Sequence, residues 1–149
     1  MLILPNEWIL DYLTPGTNKP HISEAFVKAC RERKVFFLIR RDGNFSRKLN
    51  RYLKLYSPHF NIGRFISLTL RDSTIVRLVE EDEVRTEGLD LSTVPMDDRY
   101  LVEVLHSFPE SVLISTDAFL VEQVNHLHLR AVLFQDDVHD ALRKAEEMT

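Results

Sequence analysis

Three aspartates in the C-terminal third of the chain occupy positions where carboxylates could bind a metal ion. Asp97 and Asp98 stand at the predicted start of a helix, and Asp117 follows Leu113 to Thr116, the end of an apolar strand that closes with two hydroxyl residues. In open α/β sheets, ligands bind in the crevice at the carboxyl ends of the strands. Each carboxylate could instead cap a helix, a role that stabilises a protein by about 0.5–2 kcal/mol. Capping is the more common role for a single aspartate. The choice between capping and metal binding therefore depends on the elements around each aspartate.

Helices and short strands alternate in this part of the chain. Helical patterns cover Asp97 to Phe108, Ala118 to Val124 and Asp137 to Glu147, while apolar runs predict strands at Val112 to Ser115 and Ala131 to Phe134. Such alternation with short connections is typical of a mainly parallel sheet covered by helices. We therefore predict an α/β fold with three layers, α/β/α, around a mainly parallel central sheet.

The N-terminal half continues this pattern. Two interpretations stay open for the segments Phe65 to Leu70 and Ile75 to Val79, which are either two strands or a helix followed by a strand. The other predicted elements are a strand at Leu2 to Leu4, a helix at Glu7 to Leu13, a helix at Glu24 to Arg33 capped by Ser23, a strand at Val35 to Ile39, and a helix capped by Asn44 or Ser46.

Length and composition indicate one domain over residues 1–149, because a chain of this size with 44% hydrophobic residues can bury its own core. The one cysteine, Cys30, cannot form an intramolecular disulfide, and no run of 18 apolar residues or signal-peptide pattern occurs. We expect a cytoplasmic protein without a membrane partner. The chain has no P-loop, dinucleotide-binding or nucleophile-elbow motif. It also lacks the Cys pairs and the His-Glu-x-x-His motif that are typical of zinc sites.

Positive charge is concentrated in one segment of an acidic protein. The stretch from Lys28 to Lys54 holds ten Lys or Arg and two acids, a net charge of +8, and the rest of the chain carries −12. Aromatic residues lie among these cations, and single-stranded RNA is bound through Lys and Arg together with exposed aromatic rings. Helical spacing favours core packing for the aromatics. The candidate phosphate ligands, whose alternative role is a solvated surface, are Arg40, Arg41, Arg47, Lys48, Arg51 and Lys54.

The stretch DDRYLVEVLHSFPESVLISTDAFL resembles the C-terminal signature of the PIN-domain family, in which an Asp opens a helix and a Thr–Asp pair ends the next strand. Asp98 and Asp117 fill these positions, 19 residues apart. The resemblance implies a PIN-like fold in which acids at the strand ends hold Mg²⁺ or Mn²⁺ for hydrolysis of RNA. It makes Asp98 and Asp117 the expected catalytic residues and metal ligands, with Asp97 beside them.

The N-terminus departs from the family pattern at one position. The family has an Asp where the first strand ends, and here that place falls on Pro5 or Asn6. Glu7 or Asp11 could substitute as a metal ligand. Glu122, on the helix after Asp117, is a further candidate ligand, and Glu24 is the candidate for an acid that the family has on an internal helix.

Two functional hypotheses follow from these observations. The first is a metal-dependent endoribonuclease of PIN type. The resemblance to small family members implies that it is the toxin of a toxin–antitoxin pair, with an antitoxin protein as partner, and that it forms a homodimer. The second is a degenerate PIN-like domain that has lost the first acid and serves as a non-catalytic module binding RNA or protein.

Overall fold

A five-stranded parallel sheet lies at the centre of the computed structural model, which describes residues 1–56, 69 and 72–149. The strand order is β3-β2-β1-β4-β5, and each neighbouring pair is parallel. The strands are β1 (Leu2–Pro5), β2 (Phe36–Arg40), β3 (Val76–Val79), β4 (Ser111–Ser115) and β5 (Ala131–Leu133).

Helices flank the sheet, which confirms the predicted three-layer α/β/α architecture. None of the helices within the described residues is long and apolar enough to cross a membrane. In the described part of the chain, short 3₁₀ helices cover Glu81–Glu83 and Met96–Asp98. The α-helices are α1 (Trp8–Asp11), α2 (Pro20–Glu32), α3 (Asn44–Tyr56), α4 (Arg99–Ser107), α5 (Ala118–His126) and α6 (Val138–Glu147).

Aromatic packing fixes α1 against the sheet. The ring of Trp8 lies 4.2 Å from that of Phe134 and 5.2 Å from that of Phe26, measured between centroids. The indole nitrogen of Trp8 also donates a hydrogen bond of 2.9 Å to the carbonyl oxygen of Ile114 in β4. Because buried Trp N–H groups need a partner, this bond sets where the chain leaves β1 relative to the end of β4.

Helix starts differ most from the sequence predictions. The helix α2 begins at Pro20, which suits the first helical position because it lacks an N–H group. Ser23 therefore lies inside α2, where its hydroxyl donates to the carbonyl oxygen of Ile9 instead of capping the helix as predicted. Asn44 is already helical, and the Ser46 hydroxyl donates to the carbonyl oxygen of Arg40, so the predicted Ser46 cap is also wrong.

Both interpretations predicted a strand at Ile75 to Val79, and β3 confirms it. The other ambiguous segment, Phe65 to Leu70, lies outside the described residues except for Thr69. The helix predicted at Asp97 to Phe108 is divided into the 3₁₀ turn Met96–Asp98 and α4.

Candidate metal centre

The site lies where β1 and β4 end side by side at the carboxyl edge of the sheet. Pro5 is in register with Ile114, so the next residues, Asn6 and Ser115, are brought together. The buried Asn6 amide donates a hydrogen bond of 3.1 Å to the Ser115 hydroxyl, and its Oδ1 accepts one of 2.6 Å from the backbone N–H of Glu7. The Asn6 side chain thus joins the two strand ends and fixes the first turn after β1.

Asp117 follows β4 and caps α5, as the capping interpretation predicts. Its Oδ1 accepts a hydrogen bond of 3.1 Å from the N–H of Leu120, and its own N–H donates to the Ser115 hydroxyl at 3.1 Å. The second carboxylate oxygen, Oδ2, has no hydrogen-bond partner in the described part of the chain. Asp117 can therefore cap the helix through one oxygen and present the other to a ligand.

Asp97 and Asp98 do not cap a helix, so the capping interpretation is wrong for both. Asp98 occupies the cap position of α4, but its side chain makes no capping hydrogen bond. The cap position of the preceding 3₁₀ helix belongs to Pro95. The carbonyl oxygen of Asp97 accepts a hydrogen bond of 2.7 Å from the Asn44 amide, which ties this turn to the start of α3.

The electrostatics of Asp98 show that several carboxylates share this edge of the sheet. Burial, as the largest cause, and the charges of Glu7, Asp117 and Asp97 together raise the pKa of Asp98 from its ordinary value of 3.8 to about 6. Like charges at close range disfavour the ionised form of one another unless a cation neutralises them. We refer to Glu7, Asp97, Asp98 and Asp117 as the acidic cluster.

An open cleft of about 450 Å³ borders the acidic cluster. Glu7 and Asp97 form its acidic side, while the basic face of α3 forms the other. The α3 residues that line it are Asn44, Arg47, Lys48 and Arg51. The cleft therefore presents cations directly beside the carboxylates, an arrangement suited to a phosphate group that bridges a metal ion and Arg side chains.

Two of the proposed acids lie in different surroundings from the cluster. Asp11 accepts hydrogen bonds from Lys48 (2.8 Å) and from the Tyr52 hydroxyl (2.6 Å), and so connects α1 to α3. Glu122 is exposed on α5, where the ring of His126 contacts its backbone carbonyl oxygen at 2.9 Å. Neither acid contributes to the raised pKa of Asp98. Glu24 lies on α2.

Acids distant in the sequence neutralise part of the basic segment. Arg40 pairs with Glu103 at 2.6 Å and Arg41 with Glu80 at 2.8 Å, as Lys48 does with Asp11. Among the described residues, no acid pairs with the remaining three candidates, Arg47, Arg51 and Lys54. Of these, Arg47 and Arg51 line the cleft, whereas Lys54 is exposed one turn beyond Arg51.

The aromatic residues of the basic segment mainly pack in the core, as predicted. Phe37 and Phe45 are buried, and Tyr52 is partly buried with its hydroxyl bound to Asp11. Phe36 is 39% exposed on β2, and the side chain of Tyr56 lies outside the described residues. Buried rings cannot stack on bases, so Phe37 and Phe45 are excluded as nucleotide contacts.

The chemistry of the cluster fits a hard divalent cation, because all its donors are oxygens. Within residues 1–56, 69 and 72–149, no three Asp, Glu, His or Cys side chains converge as a complete set of metal ligands. Mg²⁺ does not require such a set: it keeps several waters and is commonly held by one or two carboxylates together with substrate phosphate. Asp98 and Asp117 supply that number, with Glu7 beside them.

Sequence reasoning found the acids of this site but missed the polar residues that position them. The family pattern identifies Asn6 only as a missing acid, although an amide at the end of a strand beside a Ser can join two strands. The residue type of Asn44 predicts a helix cap, whereas its amide binds the Asp97 turn.

The fold and the site can be compared with those of known proteins. No protein-family model, curated protein or solved structure matched this chain. Inferences about its function therefore depend on its own residues and their geometry.

Proposed function

We propose that this protein is a metal-dependent endoribonuclease of PIN type. The observation that carries the proposal is the acidic cluster, in which Asp98 has its pKa raised to about 6 by burial and by the charges of Glu7, Asp117 and Asp97. Carboxylates held together in this way at the ligand-binding edge of a parallel sheet are characteristic of functional sites. The PIN resemblance of the stretch from Asp97 to Leu120 supports the same function, and a toxin role in a toxin–antitoxin pair rests on that resemblance alone.

Each residue of the site has a specific task in this proposal. Asp98 and Asp117 would hold Mg²⁺ or Mn²⁺, and Glu7 would add a further oxygen donor once the ion is bound. A divalent cation held there would supply Lewis-acid chemistry, since it would polarise the scissile phosphate and lower the pKa of bound water. Ser115 accepts hydrogen bonds from Asn6 and from the backbone of Asp117 and so keeps the end of β1 beside the metal ligands.

The substrate in this proposal is single-stranded RNA, bound by the cations beside the acidic cluster. Arg47 and Arg51 line the cleft without an acidic partner in the described residues. The Arg47 guanidinium donates to the Asn44 amide oxygen and to the Asp42 carbonyl oxygen, which orients it at the cleft while its positive charge stays unneutralised. Arg suits phosphate binding because its planar group donates two parallel hydrogen bonds.

A cleavage assay tests the proposed function. End-labelled single-stranded RNAs of mixed sequence are incubated with wild-type protein in millimolar Mn²⁺ and in chelator. Internal cleavage that requires Mn²⁺ is the expected result, because the carboxylates cannot activate water without the cation. Absence of cleavage in Mn²⁺, or equal cleavage in chelator, would contradict the proposal.

The salt dependence of RNA binding tests the assigned cleft. Each phosphate contact with a single strand contributes about −0.7 to the slope of log K against log salt concentration. We expect Arg47→Gln with Arg51→Gln to flatten this slope by about 1.4. The control is Lys28→Gln with Lys34→Gln, which removes the same charge from α2 and from the turn that follows it, outside the residues that line the cleft. The cleft is the wrong site if both double variants change the slope equally or not at all.

A second candidate function is a non-catalytic RNA-binding module, and the identity of Asn6 favours it. This residue stands where the PIN family has its first acid, and it carries no charge. A binding module requires the cleft cations but not the metal. It therefore predicts RNA binding with the salt dependence described above, unaffected by chelator and without cleavage.

A further inference from the structure

Tyr100 is a polar side chain in a nearly closed environment beside the acidic cluster. Only 9% of the residue is exposed, and its hydroxyl group is buried without a well-formed hydrogen bond in the described part of the chain. It lies on the first turn of α4, two residues after Asp98. Its helical position alone predicts simple core packing, a role for which Phe would suffice.

The turn before α3 holds the Tyr100 ring in place. A Cβ atom at Gly43 would lie only 2.8 Å from Cδ2 and 3.2 Å from Cε2 of that ring. These distances are too short for any side chain at residue 43 without a shift of the ring. Glycine therefore permits the close approach of this turn, and the turn in return limits where the Tyr100 hydroxyl can point.

Glu7 and Asp98 are the charged neighbours of this hydroxyl. Burial raises the pKa of the Tyr100 phenol above its ordinary value, and the next largest causes are the charge of Glu7 and its hydrogen-bonding interaction with the hydroxyl. The charge of Asp98 acts in the same direction, whereas the backbone N–H of Phe45 opposes it. Both carboxylates therefore lie within electrostatic range of a buried hydroxyl that lacks a full hydrogen bond.

We propose that Tyr100 is a positioning residue that donates a hydrogen bond to Glu7 and holds this carboxylate toward Asp98 and Asp117 in the metal-bound protein. A buried hydroxyl without a full hydrogen bond costs free energy, and alignment with Glu7 removes that cost. Hydrogen bonds of this kind orient metal-binding carboxylates, and their loss typically lowers metal affinity about 10- to 100-fold. The inference rests on the proposed function, because it requires a divalent cation at the cluster.

The test is Mn²⁺ affinity, measured by calorimetric titration of the full chain. We expect Tyr100→Phe to weaken Mn²⁺ binding at least about tenfold, and to leave the melting temperature in chelator unchanged or higher because it removes an unpaired buried hydroxyl. Tyr12→Phe is the matched control. It removes a hydroxyl that donates to Asp136, outside the acidic cluster, so it should lower the melting temperature without changing Mn²⁺ affinity.

A double-mutant cycle identifies the group on which the hydroxyl acts. In a Glu7→Gln background, Tyr100→Phe should cause little further loss of Mn²⁺ affinity, because the hydrogen bond to the carboxylate is already lost. Gly43→Ala, which keeps the hydroxyl but displaces the ring, should also weaken binding. An equal tenfold loss with and without Glu7→Gln would overturn the inference.

The inference and the proposed function fail in different ways. If wild type binds Mn²⁺ and both Tyr100→Phe and Gly43→Ala bind it equally well, the inference is overturned while the proposed function stands. If wild type itself does not bind Mn²⁺, both are overturned.

Discussion

Asp98→Asn is expected to lower the rate of Mn²⁺-dependent RNA cleavage at least about 100-fold, since loss of even an indirect contact to a metal ligand typically costs 10- to 100-fold. The amide keeps the size of the side chain but removes the charge that neutralises the cation. Asp117→Asn should cause a similar loss, although Asn can still accept the capping hydrogen bond from Leu120.

The control for these variants is Glu110→Gln. Glu110 is exposed in the turn before β4, at the opposite edge of the sheet from the acidic cluster. The Glu110→Gln variant should therefore cleave RNA at the wild-type rate. Retention of wild-type activity by Asp98→Asn would show that the nuclease chemistry, if present, does not use this cluster.

The second large effect is on stability, where Asp98→Asn should have opposite consequences without and with metal. In chelator at pH 7.5, the variant relieves both the burial of a charge and its repulsion by Glu7 and Asp117. A pKa raised from 3.8 to about 6 corresponds to about 1–3 kcal/mol, after allowance for the partial exposure of Asp98. We expect the variant to melt about 3–10 °C higher than wild type, as judged by the usual relation for chains of this length.

The difference in stability between wild type and Asp98→Asn should also depend on pH. Because the folded protein holds the Asp98 proton more tightly than the unfolded chain, this group contributes stability that is present below pH 3.8 and is lost as pH rises through about 6. The advantage of Asp98→Asn in chelator should therefore grow between pH 4 and pH 6.5. Comparison of the two proteins at each pH cancels the contributions of acids outside the acidic cluster.

Added Mn²⁺ should reverse the order of the melting temperatures. An ion that binds only the folded state stabilises it by about 2.7 kcal/mol at a hundred times its dissociation constant. Wild type should gain this stabilisation, and Asp98→Asn should lose most of it. Equal shifts for both proteins would mean that any Mn²⁺ binds elsewhere.

The parallel sheet could be predicted because each strand of the C-terminal third is a short apolar run between clear helical patterns. Val112 to Ser115 is such a run, and the observed β4 extends it by one residue. Helix starts were harder to predict, because Ser23 and Ser46 have the typical cap residue type but donate to carbonyl groups from nearby segments. Such tertiary contacts cannot be inferred from local residue preferences.

The acidic cluster was partly predictable, because the end of a parallel strand identifies Asp117 and the motif spacing identifies Asp98. The charge of the basic surface was not predictable in the same way. The count of +8 ignored acids from other parts of the chain, such as Glu103 and Glu80, that neutralise Arg40 and Arg41. The role proposed for Tyr100 was also hidden, since its spacing on α4 matches that of an ordinary core residue.

The central claim is that Asp98 helps to hold a divalent cation, and calorimetric titration with Mn²⁺ tests it most directly. At pH 7.5, wild type should bind Mn²⁺ saturably, and Asp98→Asn should bind it at least about tenfold more weakly. At pH 5, one unit below the pKa of about 6, protonation of Asp98 should weaken binding to wild type about tenfold. Saturable binding with the same affinity in both proteins, or no binding to wild type, would contradict the account.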